Sequence, residues 1–369
     1  MRVIAVAGAR PNFMKISPIV RALKAAGHAP VLVHTGQHYD LQMSGQFFDD
    51  LDLPAPDFNL EVGSASHTQQ TSRVMERFEP IVRDVQPDWV IVVGDVNSTL
   101  ACALTTAQLR PAVGCRLAHV EAGLRSHDWD MPEELNRVVT DRVSDLLLTP
   151  SPDAHDNLAR EGLEGRACFV GNVMIDTLLA QLPRARAVDL PGRLGIARGT
   201  YALVTLHRPS NVDDAGALRV ILEALATIAR DRPVVLPIHP RTRKNAAAFG
   251  FEALLAPLRV IDPVGYREML SLSDGAACVL TDSGGLQEET TVLGVPCVTL
   301  RAQTERPITA TVGTNRLAPW PLTAAGIAAS AEAAVAAGRF GVGERVPDGW
   351  DGRAAERIVA ALAPPLDVR

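Results

Sequence analysis

The residue types most able to do chemistry stand just past short apolar runs. Val92-Val93-Gly94-Asp95 ends such a run with an acid, and His119-Val120-Glu121 ends the next one the same way. A carboxylate at a strand end costs free energy to bury unless it is paired or functional. Pro132-Glu133-Glu134-Leu135-Asn136-Arg137 then opens a helix, in which Glu133 and Arg137 are expected to be i,i+4 neighbours on one face. Leu206-His207-Arg208 and Ile238-His239-Pro240 each place a histidine after an apolar run. Asp95, Glu121, Glu133 and the two histidines are therefore candidates for chemistry, although an ordinary N-terminal acid with a helix salt bridge is the plainer reading of Glu133 and Arg137, and a lone histidine is usually structural.

Two segments read as anion sites. In Thr281-Asp282-Ser283-Gly284-Gly285-Leu286-Gln287-Glu288-Glu289 a strand ends, glycines follow and a helix begins. Backbone N–H groups at such a helix start bind phosphate, with Ser283, Gly284 and Gly285 admitting close approach. Glu289, one turn in, suits the two hydroxyls of a ribose, although a plain capped turn gives the same pattern. The opening strand Arg2–Ala7 runs likewise into Gly8-Ala9-Arg10-Pro11-Asn12-Phe13-Met14-Lys15, with Arg10 and Lys15 as cations for an anion.

Several chemistries are disfavoured. No HxxxH or HExxH spacing supports a metal, and GxSxG is absent. Gly341-Val342-Gly343 lacks both a preceding strand and a third glycine, so no nicotinamide loop is evident and no cofactor is expected. The five cysteines are widely spaced without a CxxC pair and read as buried thiols. A formal net charge of −6 without a basic stretch argues against nucleic acid. With no signal peptide and no long apolar run, the expected location is the cytoplasm.

These side chains need a scaffold that delivers strand ends to one edge. β-branched runs at Arg2–Ala7, Pro30–His34, Asp88–Val93, Arg116–Val120, Asp145–Thr149 and Cys168–Val170 form one set. Tyr201–Leu206, Pro233–Ile238, Arg259–Ile261, Ala277–Thr281 and Pro296–Leu300 form a second. Helical patterns such as Thr68–Val85, Ala215–Arg230 and Ala324–Ala337 lie between them. Alternation of buried strands and helices indicates parallel sheets covered on both faces. The 369 residues suit two domains of about 170 residues each. The class is α/β, two doubly wound Rossmann-like domains with ligands expected at strand carboxyl ends in an interdomain cleft. Pro183–Thr200, rich in Arg, Pro and Gly, reads as a linker region. The boundaries expected are 1–172, 173–350 and a final segment 351–369 whose helix, Gly352–Leu362, caps one half.

Taken in order, GARPNFMK, TGQH, GDVNSTLA, HVEAGLRS, MPEELNR, TLHR, HPRTR, TDSGGLQEE and TERP resemble the non-hydrolysing UDP-N-acetylglucosamine 2-epimerases over nearly the whole chain. That resemblance implies a glycosyltransferase-B type fold, a homodimer and a last helix returning to the first domain. It assigns Asp95, Glu121, Glu133, Arg137 and His207 to catalysis. It assigns Arg10, Lys15, His239, Ser283, Gly284, Gly285, Glu289 and Arg306 to UDP, with backbone near Asp262–Tyr266 against uracil. Gln37, His38 and Arg208 match part of the stretch through which many bacterial members bind an activating second substrate; Asp40 departs from it. The activity implied is interconversion of UDP-GlcNAc and UDP-ManNAc for cell-surface polysaccharide synthesis. Enzymes acting on UDP-2,3-diacetamido-glucuronate resemble the chain at GARP, LHR, HPRTR and DPVGY, so the sugar stays open between them. A glycosyltransferase is the rival reading of the activity, since that fold and a UDP pocket serve both.

Overall fold

The computed structural model describes residues 1–36 and 53–362, so Gln37 and His38 lie outside the described residues. The chain divides into two compact units, Met1–Leu179 with Asp348–Arg369, and Ala180–Pro347.

The first unit carries a seven-stranded parallel sheet. Its strands are β1 (Arg2–Ala7), β2 (Ala29–His34), β3 (Phe58–Asn59), β4 (Trp89–Val93), β5 (Arg116–Val120), β6 (Leu146–Thr149) and β7 (Ala167–Phe169), in the order β3-β2-β1-β4-β5-β6-β7. Helices α1 (Arg10–Ala25), α2 (His67–Val85), α3 (Asn97–Val113), α4 (Pro132–Val143) and α5 (Pro152–Arg160) connect them. Val90, Ile91, Val92, Leu117 and Leu147 are fully buried, because helices cover both faces of the sheet. The order makes β1, β4 and β5 adjacent, with Val93 in register with Val120. The turns that follow these strands are thereby brought side by side.

The second unit carries a six-stranded parallel sheet. It comprises β8 (Ala202–Thr205), β9 (Val234–Pro237), β10 (Arg259–Ile261), β11 (Cys278–Thr281), β12 (Cys297–Thr299) and β13 (Asn315–Leu317), in the order β10-β9-β8-β11-β12-β13. Reversal of strand order at β8/β11 puts the turns after those strands next to each other, the position where open α/β sheets bind ligands. Two strands escaped the sequence reading, β3 and β13. Each is two or three residues long and lies at a sheet edge. The region read as a linker is helical in its first part, since α6 (Val173–Val188) runs into it and the unit division falls within that helix.

The segment from Asp348 onward belongs to the first unit, where α12 (Ala354–Leu362) packs on α1. The longer helices of the second unit are α7 (Ala215–Ile228), α8 (Pro240–Ala248), α9 (Tyr266–Gly275), α10 (Gly284–Leu293) and α11 (Ala324–Ala337). The start of α12 is capped by the Asp176 carboxylate, which accepts the Ala354 and Ala355 N–H groups at 3.1 and 2.7 Å. Trp350 anchors its approach: the indole is buried and donates to the Pro150 carbonyl at 3.0 Å. The five cysteines are free thiols, four of them buried. Among the described residues no helix is long and apolar enough to cross a membrane. Trp350→Ala should lower the unfolding free energy of the first unit by about 3–5 kcal/mol. Urea denaturation followed by circular dichroism measures this, and an unchanged midpoint would contradict the anchoring role.

Candidate active site

In the first unit the acids meet cations supplied by neighbouring elements. Asn12, in the first turn of α1, accepts the Gly8 and Ala9 N–H groups and donates to the Val93 carbonyl at 3.1 Å. That ties the turn after β1 to the end of β4. Lys15, one turn further along α1, pairs with Glu121, and both side chains are buried. Glu121 itself has φ +70, a left-handed backbone rare for a non-glycine residue and frequent at functional sites. Arg10 stands at the first position of α1.

Asp95 receives Arg137 Nη2 at 2.5 Å, and Arg137 Nη1 binds Glu134 at 2.7 Å. The helix pair is thus Glu134–Arg137, one turn apart at i,i+3, instead of the expected Glu133–Arg137. Glu134 is also the acceptor for the Ser126 and His127 N–H groups, both at 2.9 Å. Burial raises the Glu134 pKa, but these N–H groups, the Ser126 hydroxyl and Arg137 outweigh it and hold the carboxyl below its ordinary range. Glu133 faces elsewhere. It is half-buried and lines a cavity of about 320 Å³ with His67, Gln70, Asn97 and Asn136. Asn136 donates to the Asp95 carbonyl at 2.9 Å and to Asn97 Oδ1 at 3.2 Å, linking that cavity to the Asp95 turn. The three predicted acids thus differ: Asp95 is held by a guanidinium, Glu121 by an ammonium, and Glu133 opens onto a polar hollow.

Lys15, predicted for anion binding, is engaged with a carboxylate of its own unit. Its ammonium also neighbours Gly94, where an added Cβ would stand 3.1 Å from Nζ and 3.5 Å from Glu121 Oε2. Gly94, with φ +68, therefore lets the Asp95 turn approach this pair.

In the second unit His207 follows β8, and its Nδ1 lies 2.7 Å from Asp282 Oδ1. Asp282 is fully buried and also accepts the His207 and Arg208 N–H groups at 3.0 Å and Asn211 Nδ2 at 3.2 Å. Burial raises its pKa, but the His207 contacts and the backbone N–H groups hold the carboxyl below its usual range. The contact with Asp282 uses Nδ1 of a side chain that is 44% exposed. His239 caps α8 by accepting the Arg241 N–H at Nδ1, 3.2 Å away, so its neutral ring carries hydrogen on Nε2. Partial burial, followed by the charges of His207 and Arg241, lowers its pKa.

Ser283 is the N-cap of α10, but its side chain makes no capping bond; its N–H goes to Thr281 Oγ1 at 2.9 Å. Gly284 opens the helix close to Glu305, whose Oε1 would be 3.0 Å from an added Cβ, while Gly285 has open space there. Glu305 is paired with Arg301 at 2.7 Å and lies 3.6 Å from Arg208. Arg306 is buried and donates from Nε to Glu288 at 2.7 Å. Glu289 is 4 % exposed; burial lifts its carboxyl to about 7 even though a hydrogen bond from the Tyr266 hydroxyl opposes the shift. Asp282, Glu305 and Glu288 were not singled out as site residues from the sequence, and Tyr266 entered only through the backbone of the Asp262–Tyr266 segment. Asp282 carries a signal, an acid after an apolar strand, which a plain capped turn explains equally well. Among the described residues no cluster of three or more His, Cys, Asp and Glu could hold a metal ion.

The family model described as UDP-N-acetylglucosamine 2-epimerase matches residues 21–363. The UDP-N-acetylglucosamine 2-epimerase of Methanocaldococcus jannaschii is 43% identical over 326 residues, covering 86% of this chain and 88% of that protein. The UDP-2,3-diacetamido-2,3-dideoxy-D-glucuronate 2-epimerase of Pseudomonas aeruginosa is 40% identical, over 98% of this chain and 99% of that one. A crystal structure of the M. jannaschii UDP-GlcNAc 2-epimerase in complex with UDP-GlcNAc and UDP superposes with a TM-score of 0.87 at 38% identity, covering 98% of this chain and 99% of that chain.

Glu289 supplies a pH test. Between the ordinary carboxyl value of 4.5 and about 7 the folded chain keeps this proton while the unfolded chain releases it. Stability therefore falls as pH rises through that window, by on the order of 3 kcal/mol. Glu289→Gln should abolish this part of the fall, read as urea stability at pH 5 and pH 8. Parallel pH profiles for the variant and the parent would contradict the assignment.

Proposed function

The chain belongs to the UDP-N-acetylglucosamine 2-epimerase family, and on that premise we propose that it interconverts UDP-GlcNAc and UDP-ManNAc. The observation that carries this reading is the set of carboxylates in the first unit, each in a different setting: Asp95 on Arg137, Glu121 on Lys15, and Glu133 at a polar cavity. Inversion at carbon 2 needs a proton removed from one face and one delivered to the other. A single acid at a single position does not meet that need.

The hydrogen at carbon 2 is not acidic, so the reaction proceeds by elimination. A carboxylate takes the proton, the C2–H electrons form the C1=C2 double bond, and the C1–O bond to UDP breaks. The products held by the protein are a 2-acetamidoglucal and UDP. A UDP oxygen then adds back to carbon 1 while a second acid protonates carbon 2 from the other face. Asp95, Glu121 and Glu133 form the acid/base set, and Arg137 fixes Asp95. The second unit serves the nucleotide. His207, oriented by Asp282, and His239 donate to the departing diphosphate; the Ser283 hydroxyl and the backbone N–H groups of Gly284 and Gly285 join them. Glu289 takes the ribose and Arg306 lies in the same nucleotide set, to which Arg10 of the first unit also belongs. Lys15 acts through Glu121 and, once that carboxyl is protonated, is available to the diphosphate.

We place the enzyme in the cytoplasm as a homodimer feeding cell-surface polysaccharide synthesis. The P. aeruginosa relative favours one second reading, the same epimerisation on UDP-2,3-diacetamido-glucuronate. Incubation of the protein alone with each UDP sugar, followed by NMR at carbon 2, decides between them. UDP-GlcNAc should give UDP-ManNAc with solvent deuterium at carbon 2 and no acceptor required; conversion of neither sugar would refute the assignment. Asp95→Asn, Glu121→Gln and Glu133→Gln should each slow turnover by about 10²–10⁴-fold. Near-normal rates in all three would remove these acids from the mechanism.

A further inference from the structure

The ion pairs that hold Asp95 and Glu121 leave open what fixes the two turns that carry them. Beneath both lies His119, fully buried in β5. Its Nε2 is 2.8 Å from the carbonyl oxygen of Gly94, the residue before Asp95. Its Nδ1 is 2.6 Å from Asp141 Oδ1. Both partners are acceptors, so the ring donates from both nitrogens. Asp141, on α4 and also fully buried, uses Oδ2 to accept the N–H of Gly123 at 3.1 Å, two residues after Glu121. Arg125 Nη1 meets the same oxygen at 2.8 Å, and Glu161 holds Arg125 through Nε and Nη2 at 2.7 and 2.8 Å.

The connections end on two catalytic turns and not on the ladder of the sheet. Gly123 has φ +82, and an added Cβ would stand 2.3 Å from the Ala154 carbonyl oxygen, so its backbone is confined by α5 from the other side. A buried Asp–His–Arg group is a poor device for stability alone, because well-packed apolar side chains fill such a volume without desolvating charge. What the charged group adds is direction.

We propose that Asp141 is a positioning residue for the epimerisation, holding the Asp95 turn through His119 and the Glu121 turn through the Gly123 N–H, and so fixing the separation of two acid/base groups. This rests on the activity proposed above.

The test uses the full-length protein and UDP-GlcNAc. Asp141→Ala removes both links. Asp141→Asn keeps them, because its amide oxygen accepts from Gly123 and Arg125 while its NH2 donates to His119 Nδ1, the ring then donating only from Nε2. At a temperature where circular dichroism shows each variant folded, Asp141→Ala should lose on the order of 10²-fold in kcat with KM and the Kd for UDP unchanged. Asp141→Asn should recover most of that loss. If Asp141→Ala does not fold, His119→Asn carries the test, since it cuts the link to Gly94 while Asp141 keeps Arg125 and Gly123. Its kcat should fall with KM held. A folded variant lacking either link with the parental kcat overturns the inference, as does a loss confined to KM. A parent protein that converts neither UDP sugar defeats the activity assignment, and this inference with it. An active parent with an active Asp141→Ala defeats the inference alone.

Discussion

A carboxylate removed from water must meet cations or N–H groups, and that constraint shapes both units. In the first, Glu121 meets Lys15, Asp95 and Glu134 share Arg137, and Asp141 lies between His119 and Arg125. In the second, Asp282 gathers His207 and two backbone N–H groups, and Arg306 answers Glu288. Nearly every acid that chemistry would use is thereby given one orientation before any substrate arrives. Such preorganisation matters most where charge develops as a bond breaks, because donors already in place need not reorganise.

The parallel sheet makes this arrangement affordable in geometry. Adjacent β1, β4 and β5 end at one edge, and the residues following them inherit the strands' spacing of a few ångströms. Left-handed backbone at Gly94, Glu121 and Gly123 then turns the chain sharply enough for side chains from α1 and α4 to reach between the turns. The second unit repeats the plan at β8 and β11, where His207 and Asp282 stand across neighbouring strand ends. The first unit carries Asp95, Glu121 and Glu133 on its strand-end turns and α4, and the second carries His207, His239 and the start of α10, the groups proposed above for the diphosphate.

Much of this was legible in the chain. Short apolar runs announced eleven of the strands because parallel strands are buried on both faces and leave an unbroken apolar record. Strands β3 (Phe58-Asn59) and β13 (Asn315-Arg316-Leu317) left none, being two- and three-residue edges with polar residues in place of an apolar run. Asp95, Glu121, His207 and Glu289 were visible as polar residues at strand ends or on the first turn of a helix. Partnerships were not visible. Nothing in the spacing separates Glu133 from Glu134 as the mate of Arg137, since both i,i+3 and i,i+4 neighbours reach on a helix; the loop at Ser126–His127 decides it by occupying Glu134. Likewise Lys15 looked like a free cation because Glu121 is distant in sequence, and nothing local marks His119 as the partner of Asp141. Long-range pairing is a property of the sheet order, which the local pattern does not encode.

The central claim is that these fixed charges serve a reaction in which the sugar–diphosphate bond breaks and re-forms. Positional isotope exchange addresses it most directly. UDP-GlcNAc carrying ¹⁸O in the bridge between carbon 1 and the β-phosphorus is incubated with the protein and followed by ³¹P NMR. Bond breakage with UDP held on the protein predicts that the label moves into non-bridging positions of the β-phosphate as UDP-ManNAc forms. Epimerisation with the label still wholly in the bridge would contradict the account.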